Sequence, residues 1–127
     1  MISHIRKTLE QRLNGWAAGK TLAIAWQNGS FKPAPNQTWL QVTLMPAQTV
    51  SGSLVKQEHK GILHINVFAA LNQGSGEAES IAAEVAALFP AGLVVDGVAI
   101  PSPPTILQGR PDPDYYQVPV QIRYRMN

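Results

Sequence analysis

The chain opens with apolar side chains that recur at steps of three and four residues. The recurring residues are Ile2, Ile5, Leu9, Leu13 and Trp16. Charged and polar side chains, Arg6 and Glu10 among them, occupy the positions between them. This period predicts an amphipathic helix that buries one face. We expect it to end near Gly19, where the absence of a side chain lets the backbone leave the helix.

Several later segments alternate apolar and polar residues, which is the pattern of half-buried β-strands. They cover residues 22–26, 38–45, 61–68 and 116–125, and residues 93–100 are predicted as a further strand or half-strand. The clearest alternation is that of residues 61–68, so this strand is expected to be central. Pro119 cannot donate a ladder hydrogen bond, which predicts a sheet edge or a bulge on one side of the last strand.

A second helix is predicted over residues 77–89, where apolar and small side chains again follow the helical period. Glu77 and Glu79 lie in its first turn, where their negative charge stabilises the positive end of the helix dipole. Pro90 ends the helix. The order helix, strands, helix, strands predicts an α+β fold in one domain, residues 1–127. Its mainly antiparallel β-sheet is covered by two α-helices.

The composition narrows the classes of function. Apolar residues make up 45% of the chain and charged residues only 14%, so much of the surface is neutral and easily desolvated against a partner. The net charge is +2, but the ten Lys and Arg residues are scattered, so no sequence-specific nucleic-acid partner is expected. The longest apolar stretches are too short to span a bilayer, and no membrane partner is expected. With no Cys, disulfides and thiolate chemistry are excluded.

Candidate catalytic and metal-binding residues are few. His4, His59 and His64 do not stand at metal-ligand spacings. Asp112 and Asp114 flank a proline, as turn residues do. No serine has the context of an activated nucleophile. The sequence therefore predicts a protein that is not an enzyme and holds neither cofactor nor metal.

Two features remain open at this point. Trp26, Phe31 and Trp39 could form an aromatic ligand cage, although packing in the core or between subunits is the favoured interpretation. Residues 47–60 are polar and could form a mobile loop or a hairpin arm. We expect this arm to be mobile in a free subunit and ordered in an assembly, because it offers little apolar area to offset the entropy of ordering.

The order of the segments resembles that of the small phage tail-terminator proteins. The resemblance lies in the runs IAWQN at residues 24–28, WLQVTLMPA at 39–47, GILHINVF at 61–68 and VQIRYR at 120–125, and in the helix at 81–89. It covers nearly the whole chain and consists of strands and turns, with no catalytic signature among them.

The resemblance implies a structural subunit of a long-tailed phage, assembled in the host cytoplasm and located in the virion. It implies a hexameric ring on the last ring of the tail tube, which ends tube growth and presents a surface for head joining. The implied partners are copies of the same chain, the tail-tube protein and the head connector protein. No catalytic residues are carried over.

An assembly surface is predicted on the arm and on the outward face of the last strand. Its candidate residues are Lys56 and Glu58 on the arm and Arg123 and Arg125 on the strand. Two alternatives stay open: another neck or head-completion protein, and a small-ligand-binding domain that uses the three aromatic side chains. Gene order tests the first alternative, since terminator genes usually lie just before the tail-tube gene, and ligand-induced changes in melting temperature test the second.

Overall fold

A computed structural model describes residues 2–33, 37–47, 59–70, 76–112 and 115–126. Within these residues the chain forms two helices and eight strands, which confirms the predicted α+β fold. The helices are α1 (Ile2–Gly19) and α2 (Gly76–Ala87), and the strands are β1 (Ala23–Ala25), β2 (Trp39–Pro46), β3 (His59–Ala70), β4 (Val94–Val95), β5 (Val98–Ala99), β6 (Thr105–Ile106), β7 (Arg110–Asp112) and β8 (Tyr115–Met126).

The strands form one mixed sheet in the order β1-β2-β3-β8-β5-β4, and β6 and β7 also pair with β8. All pairs are antiparallel except β1 with β2. The strands β3 and β8 pair along their full length, from His59 opposite Met126 to Ala70 opposite Tyr115. The prediction that the third strand is central is therefore confirmed, because β3 lies between β2 and β8.

One face of the sheet is covered by both helices. Alternate residues of the three long strands join the apolar stripes of α1 and α2 in a single core. The core residues from these strands are Leu40, Val42, Leu44, Leu63, Ile65, Val67, Ala69, Val118, Val120, Ile122 and Tyr124. Each large apolar side chain that is fully buried contributes about 1.5–3 kcal/mol to folding. Arg12 of α1 also donates from Nε to the carbonyl oxygen of Leu88, at 2.6 Å, and so links α1 to the end of α2.

The last strand is not at the edge of the sheet, but its ladder is interrupted at Pro119, where an edge or a bulge was predicted. It pairs with β3 on one side, and on the other it pairs in turn with β5, β6 and β7. Pro119 lies where the strand paired with β8 changes from β6 to β7. The carbonyl oxygen of Pro119 accepts a hydrogen bond from the amide of Leu107 at 2.9 Å. The missing amide hydrogen of Pro119 faces the same side, because the N–H and C=O groups of a strand residue point in the same direction. The proline is thus accommodated at an interruption of the ladder within a central strand.

Residues 93–100 form a tight hairpin in which β4 pairs with β5. Asp96 and Gly97 connect the two strands, with φ angles of 48° and 84°. Positive φ at both central residues is the geometry of a type I′ turn, for which Asp-Gly is a preferred pair. The sequence thus contained a hairpin signal that the prediction of one strand or half-strand missed.

Candidate assembly surface

The second face of the sheet is left open by both helices. Side chains of β2, β3 and β8 that alternate with the core residues point to it, and most are polar or partly exposed. They include Gln41, Thr43, Met45, Ile62, His64, Asn66, Gln121, Arg123 and Arg125. We call this the open face. An antiparallel sheet with one packed face commonly presents a polar second face, and here that face is largely uncharged at its centre.

A hollow of about 390 Å³ lies at one end of the open face. Its lining includes Lys60, Ile62, Pro101, Arg123 and Arg125. Strand pairing brings these residues together, because Lys60 stands opposite Arg125 and Ile62 stands opposite Arg123. We call it the cationic hollow, since three basic side chains surround an apolar floor.

The arrangement of charges in the cationic hollow favours an anionic partner. Like charges directly opposite one another destabilise a pair of strands by some tenths of a kcal/mol, on the order of 0.2–1. Lys60 and Arg125 form such a pair, and Arg123 lies on the same face two residues along the strand. A carboxylate placed beside Arg123 and Arg125 would be attracted to both guanidinium groups. The sequence placed Arg123 and Arg125 on this surface, but it did not identify Lys60 as their neighbour.

The centre of the open face carries a short row of hydrogen bonds between side chains. Nε2 of His64 lies 3.1 Å from Oδ1 of Asn66, and Nδ2 of Asn66 donates to Oε1 of Gln41 at 3.4 Å. Nδ1 of His64 is buried and has no hydrogen-bond partner among the described residues. The row pairs polar side chains of β2 and β3 with one another at the centre of the open face.

Aromatic side chains pack together at the opposite end of the sheet. The ring of Trp39 stacks on Phe68, with centroids 4.3 Å apart and planes inclined by 10°. Phe31 lies 5.3 Å from Trp39 on its other flank, and Tyr115 meets Trp39 edge-on at 5.9 Å. Such contacts stabilise a fold beyond the area they bury. The aromatic faces are therefore largely used by one another.

The three aromatic residues proposed as a cage do line one hollow. Trp26, Phe31 and Trp39 contribute to a space of about 310 Å³ beside β1 and β2. This volume is at the lower end of the range for small-molecule sites, about 300–1,000 Å³. Because Trp39 is already stacked on Phe68, the packing interpretation is the better supported one.

A longer groove of about 500 Å³ follows the outer side of α1 beside Trp26. Part of its polar rim is bonded within the chain. Arg6 pairs with Glu10 at 3.4 Å and also donates to Oε1 of Gln27 at 3.0 Å. That Oε1 atom also accepts from the amide of Leu44 at 2.8 Å, which protects the outer edge of β2.

Large apolar side chains also reach solvent beyond the strands β2, β3 and β8. Val94, in the hairpin of β4 and β5, is 64% exposed, the largest value among them. Ile106 and Leu107 follow at 44% and 38%. Single exposed apolar residues are common, but one on a short hairpin can serve as a contact point.

The structure describes two of the four residues predicted for the assembly surface. Arg123 and Arg125 are both exposed on the open face and border the cationic hollow. Lys56 and Glu58 lie outside the described residues, as does most of the predicted arm, so those predictions stay predictions. The outward placement of the two arginines follows from the alternation along β8, in which Tyr124 between them is buried.

The titratable groups include two with shifted pKa values. Burial raises the pKa of the Tyr124 phenol, and the nearby positive charge of Arg6 acts in the opposite direction. The hydroxyl of Tyr124 has no hydrogen-bond partner in the described part of the chain. On the surface, a hydrogen bond from Lys20 lowers the pKa of Glu84, and the two atoms of this ion pair are 2.7 Å apart.

The side chains that could ligate a metal ion lie apart from one another. Over the ranges that the structure describes, no group of three His, Cys, Asp or Glu side chains is placed to hold a metal ion. Neither of the two described helices is long and apolar enough to cross a membrane.

Known proteins resemble this chain over almost its full length. A sequence model of the family described as phage tail terminator protein matches residues 4–124. One solved structure is 32% identical in sequence and gives a TM-score of 0.84. That similarity covers 100% of this chain and 96% of the other. No curated protein matches the sequence. Both similarities extend from α1 to β8.

Proposed function

Because this chain belongs to the phage tail terminator protein family, we propose that it caps the finished tail tube as a closed ring of identical subunits. The family gives it a structural role in the phage tail and a place in the virion. The proposal adds that the ring stops tube growth and presents a surface to the head connector. The observation that carries it is the family match over residues 4–124.

The open face supports a role in assembly. It extends across three paired strands, is neutral at its centre and ends in the cationic hollow. Neutral polar groups lose less hydration than charges when a partner covers them. A closed ring repeats one head-to-tail contact between two different surfaces of the subunit, for example a broad face and a separate protruding element. The hairpin of β4 and β5 is such an element.

The proposed partners are copies of this chain, the tail-tube protein and the head connector. Assembly would take place in the host cytoplasm before the particle is complete. The tail terminator family is a structural one, and we propose neither a catalytic activity nor a cofactor for this member.

The experiment is a completion assay with tails made without their terminator. Purified protein is added to these tails, tube length is measured by electron microscopy, and the tails are then mixed with DNA-filled heads and scored for joining. Capping should give tubes of uniform length that join heads. Tubes that keep growing in the presence of the protein would contradict the proposal.

A parallel arm separates the tail terminator from a head-completion protein. The protein is incubated first with heads alone, the excess is removed, and untreated tails are then added. A terminator should act only when tails receive it, whereas a head-completion protein should act when heads receive it.

A further inference from the structure

The cationic hollow has the composition of a contact between proteins. Ile62 and Pro101 form an apolar floor, and Lys60, Arg123 and Arg125 surround it. Interfaces between proteins place apolar groups at the centre and polar groups around them, and arginine is enriched there. Single-stranded nucleic acid instead favours aromatic stacking platforms beside the cations. No aromatic ring other than that of Tyr124, which is 2% exposed, belongs to a residue of the described lining.

The hairpin of β4 and β5 carries the complementary features. Val94 projects an apolar side chain that is 64% exposed, and the turn two residues later carries the exposed carboxylate of Asp96. A hydrogen bond joins the hairpin to α1, because His4 donates from Nε2 to the carbonyl oxygen of Asp96 at 2.8 Å. A fixed backbone lowers the entropy lost when the hairpin meets a partner.

The hairpin and the hollow of one subunit are separate surfaces. Val94 pairs with Ala99, and Ala99 pairs with Arg125, so Val94 is two strand spacings away from β8. This corresponds to about 10 Å, since neighbouring strands are about 4.8 Å apart. Val94 and the hollow are thus different parts of the subunit surface, so one copy can offer the hairpin and the next copy the hollow.

We propose that the hairpin of β4 and β5 of one copy docks in the cationic hollow of the next copy. Val94 would contact the apolar floor at Ile62, and Asp96 would meet the basic rim that includes Arg123. The contact joins unlike surfaces, so it propagates from subunit to subunit and closes when the rotation completes a ring. The inference rests on the proposed ring and assigns its interface.

The absence of cysteine from the sequence allows a direct test by crosslinking. A double variant, Val94→Cys with Arg123→Cys, is treated with a short bismaleimide reagent and analysed on a denaturing gel. Head-to-tail docking should give a ladder of covalent dimers, trimers and higher species, at least tenfold above the yield of a matched control. The control pairs Val94→Cys with Ala83→Cys, which is exposed on α2. A mixture of the two single variants, Val94→Cys and Arg123→Cys, should stop at dimers.

The outcomes distinguish this interface from the ring itself. Light scattering of the unmodified protein, alone and with terminator-free tubes, reports whether it oligomerises. Oligomers that give neither a ladder above the control nor a dimer from the mixed single variants, in which no link within one subunit is possible, would overturn the interface and leave the proposed function intact. A strong dimer from Val94→Cys alone would indicate a symmetric contact and would also overturn it. An unmodified protein that neither oligomerises nor acts on tubes would remove both proposals.

Discussion

Gly61 is the position at which the packing of the sheet gives the sharpest prediction for stability. A Cβ atom at this residue would lie 2.6 Å from the carbonyl oxygen of Met45 and 2.7 Å from Cζ of Tyr124. Ordinary carbon contacts begin at about 3.4 Å or more. Neither neighbour can move away easily, because Met45 O belongs to the backbone of β2 and Tyr124 is 2% exposed. The substitution Gly61→Ala must therefore displace a strand or a core side chain.

The expected loss is about 2 kcal/mol in the free energy of unfolding. Overpacking a core costs up to about 3 kcal/mol, and replacing glycine by alanine recovers about 0.7 kcal/mol by stiffening the unfolded chain. A chain of 127 residues has an unfolding entropy of about 0.27 kcal/mol/K. Gly61→Ala should consequently lower Tm by about 7 °C. Urea unfolding followed by circular dichroism gives the free energy, and calorimetry gives Tm.

A matched control is the same substitution at Gly15, which lies within α1 and where an added Cβ atom would have nothing within 4 Å. Gly15→Ala should raise the free energy of unfolding by about 1 kcal/mol, the difference in helix propensity. In a Tyr124→Leu background, which removes the ring, the cost of Gly61→Ala should shrink. A Gly61→Ala protein as stable as the unmodified chain would refute the packing argument.

Three further predictions concern charged and titratable side chains. Tyr124→Phe removes a buried hydroxyl that lacks a partner among the described residues and should leave the free energy of unfolding unchanged or raise it by up to about 1 kcal/mol. Because burial raises the pKa of Tyr124 above 10.0, the folded state keeps a proton that the unfolded state loses. Stability should fall as the pH rises above about 10, and less steeply in Tyr124→Phe, as urea unfolding across that range would show. Lys20→Met should return the lowered pKa of Glu84 towards its ordinary value in an NMR titration. Reversing both Arg123 and Arg125 to Glu should leave circular dichroism and Tm almost unchanged, since exposed charges contribute little to folding, while capping in the completion assay is lost.

Periodicity predicted the elements of this fold that bury one face. The stripe of α1 and the alternation in β3 and β8 identified the same core residues that the structure buries, among them Leu13, Ile65 and Ile122. These patterns are reliable because each element must turn one face to the core. The hairpin at Asp96 was missed because the apolar residues on both sides of it resemble one continuous strand.

The candidate surface was only partly predictable, because it depends on pairing between distant segments. Arg123 and Arg125 alternate with core residues, so their outward direction follows from β8 alone. Lys60 precedes a glycine at the start of β3, and nothing local indicates that it will stand opposite Arg125. The register of an antiparallel pair is a non-local property, set by which faces are buried. A cluster of charges that forms across two strands is therefore invisible as a run in the sequence.

The same register links the assembly surface to the core. A slip of β8 by one residue would turn Tyr124 to solvent and Arg123 and Arg125 towards the helices, since side chains alternate with a period of two. Pro119 opposes such a slip, because it has no amide hydrogen and its carbonyl accepts from Leu107 at the interruption between β6 and β7. A shift of β8 by one residue would place Pro119 opposite a backbone carbonyl that needs an N–H donor, which a proline lacks. Burial of the core and the outward placement of Arg123 and Arg125 are thus decided by one pairing.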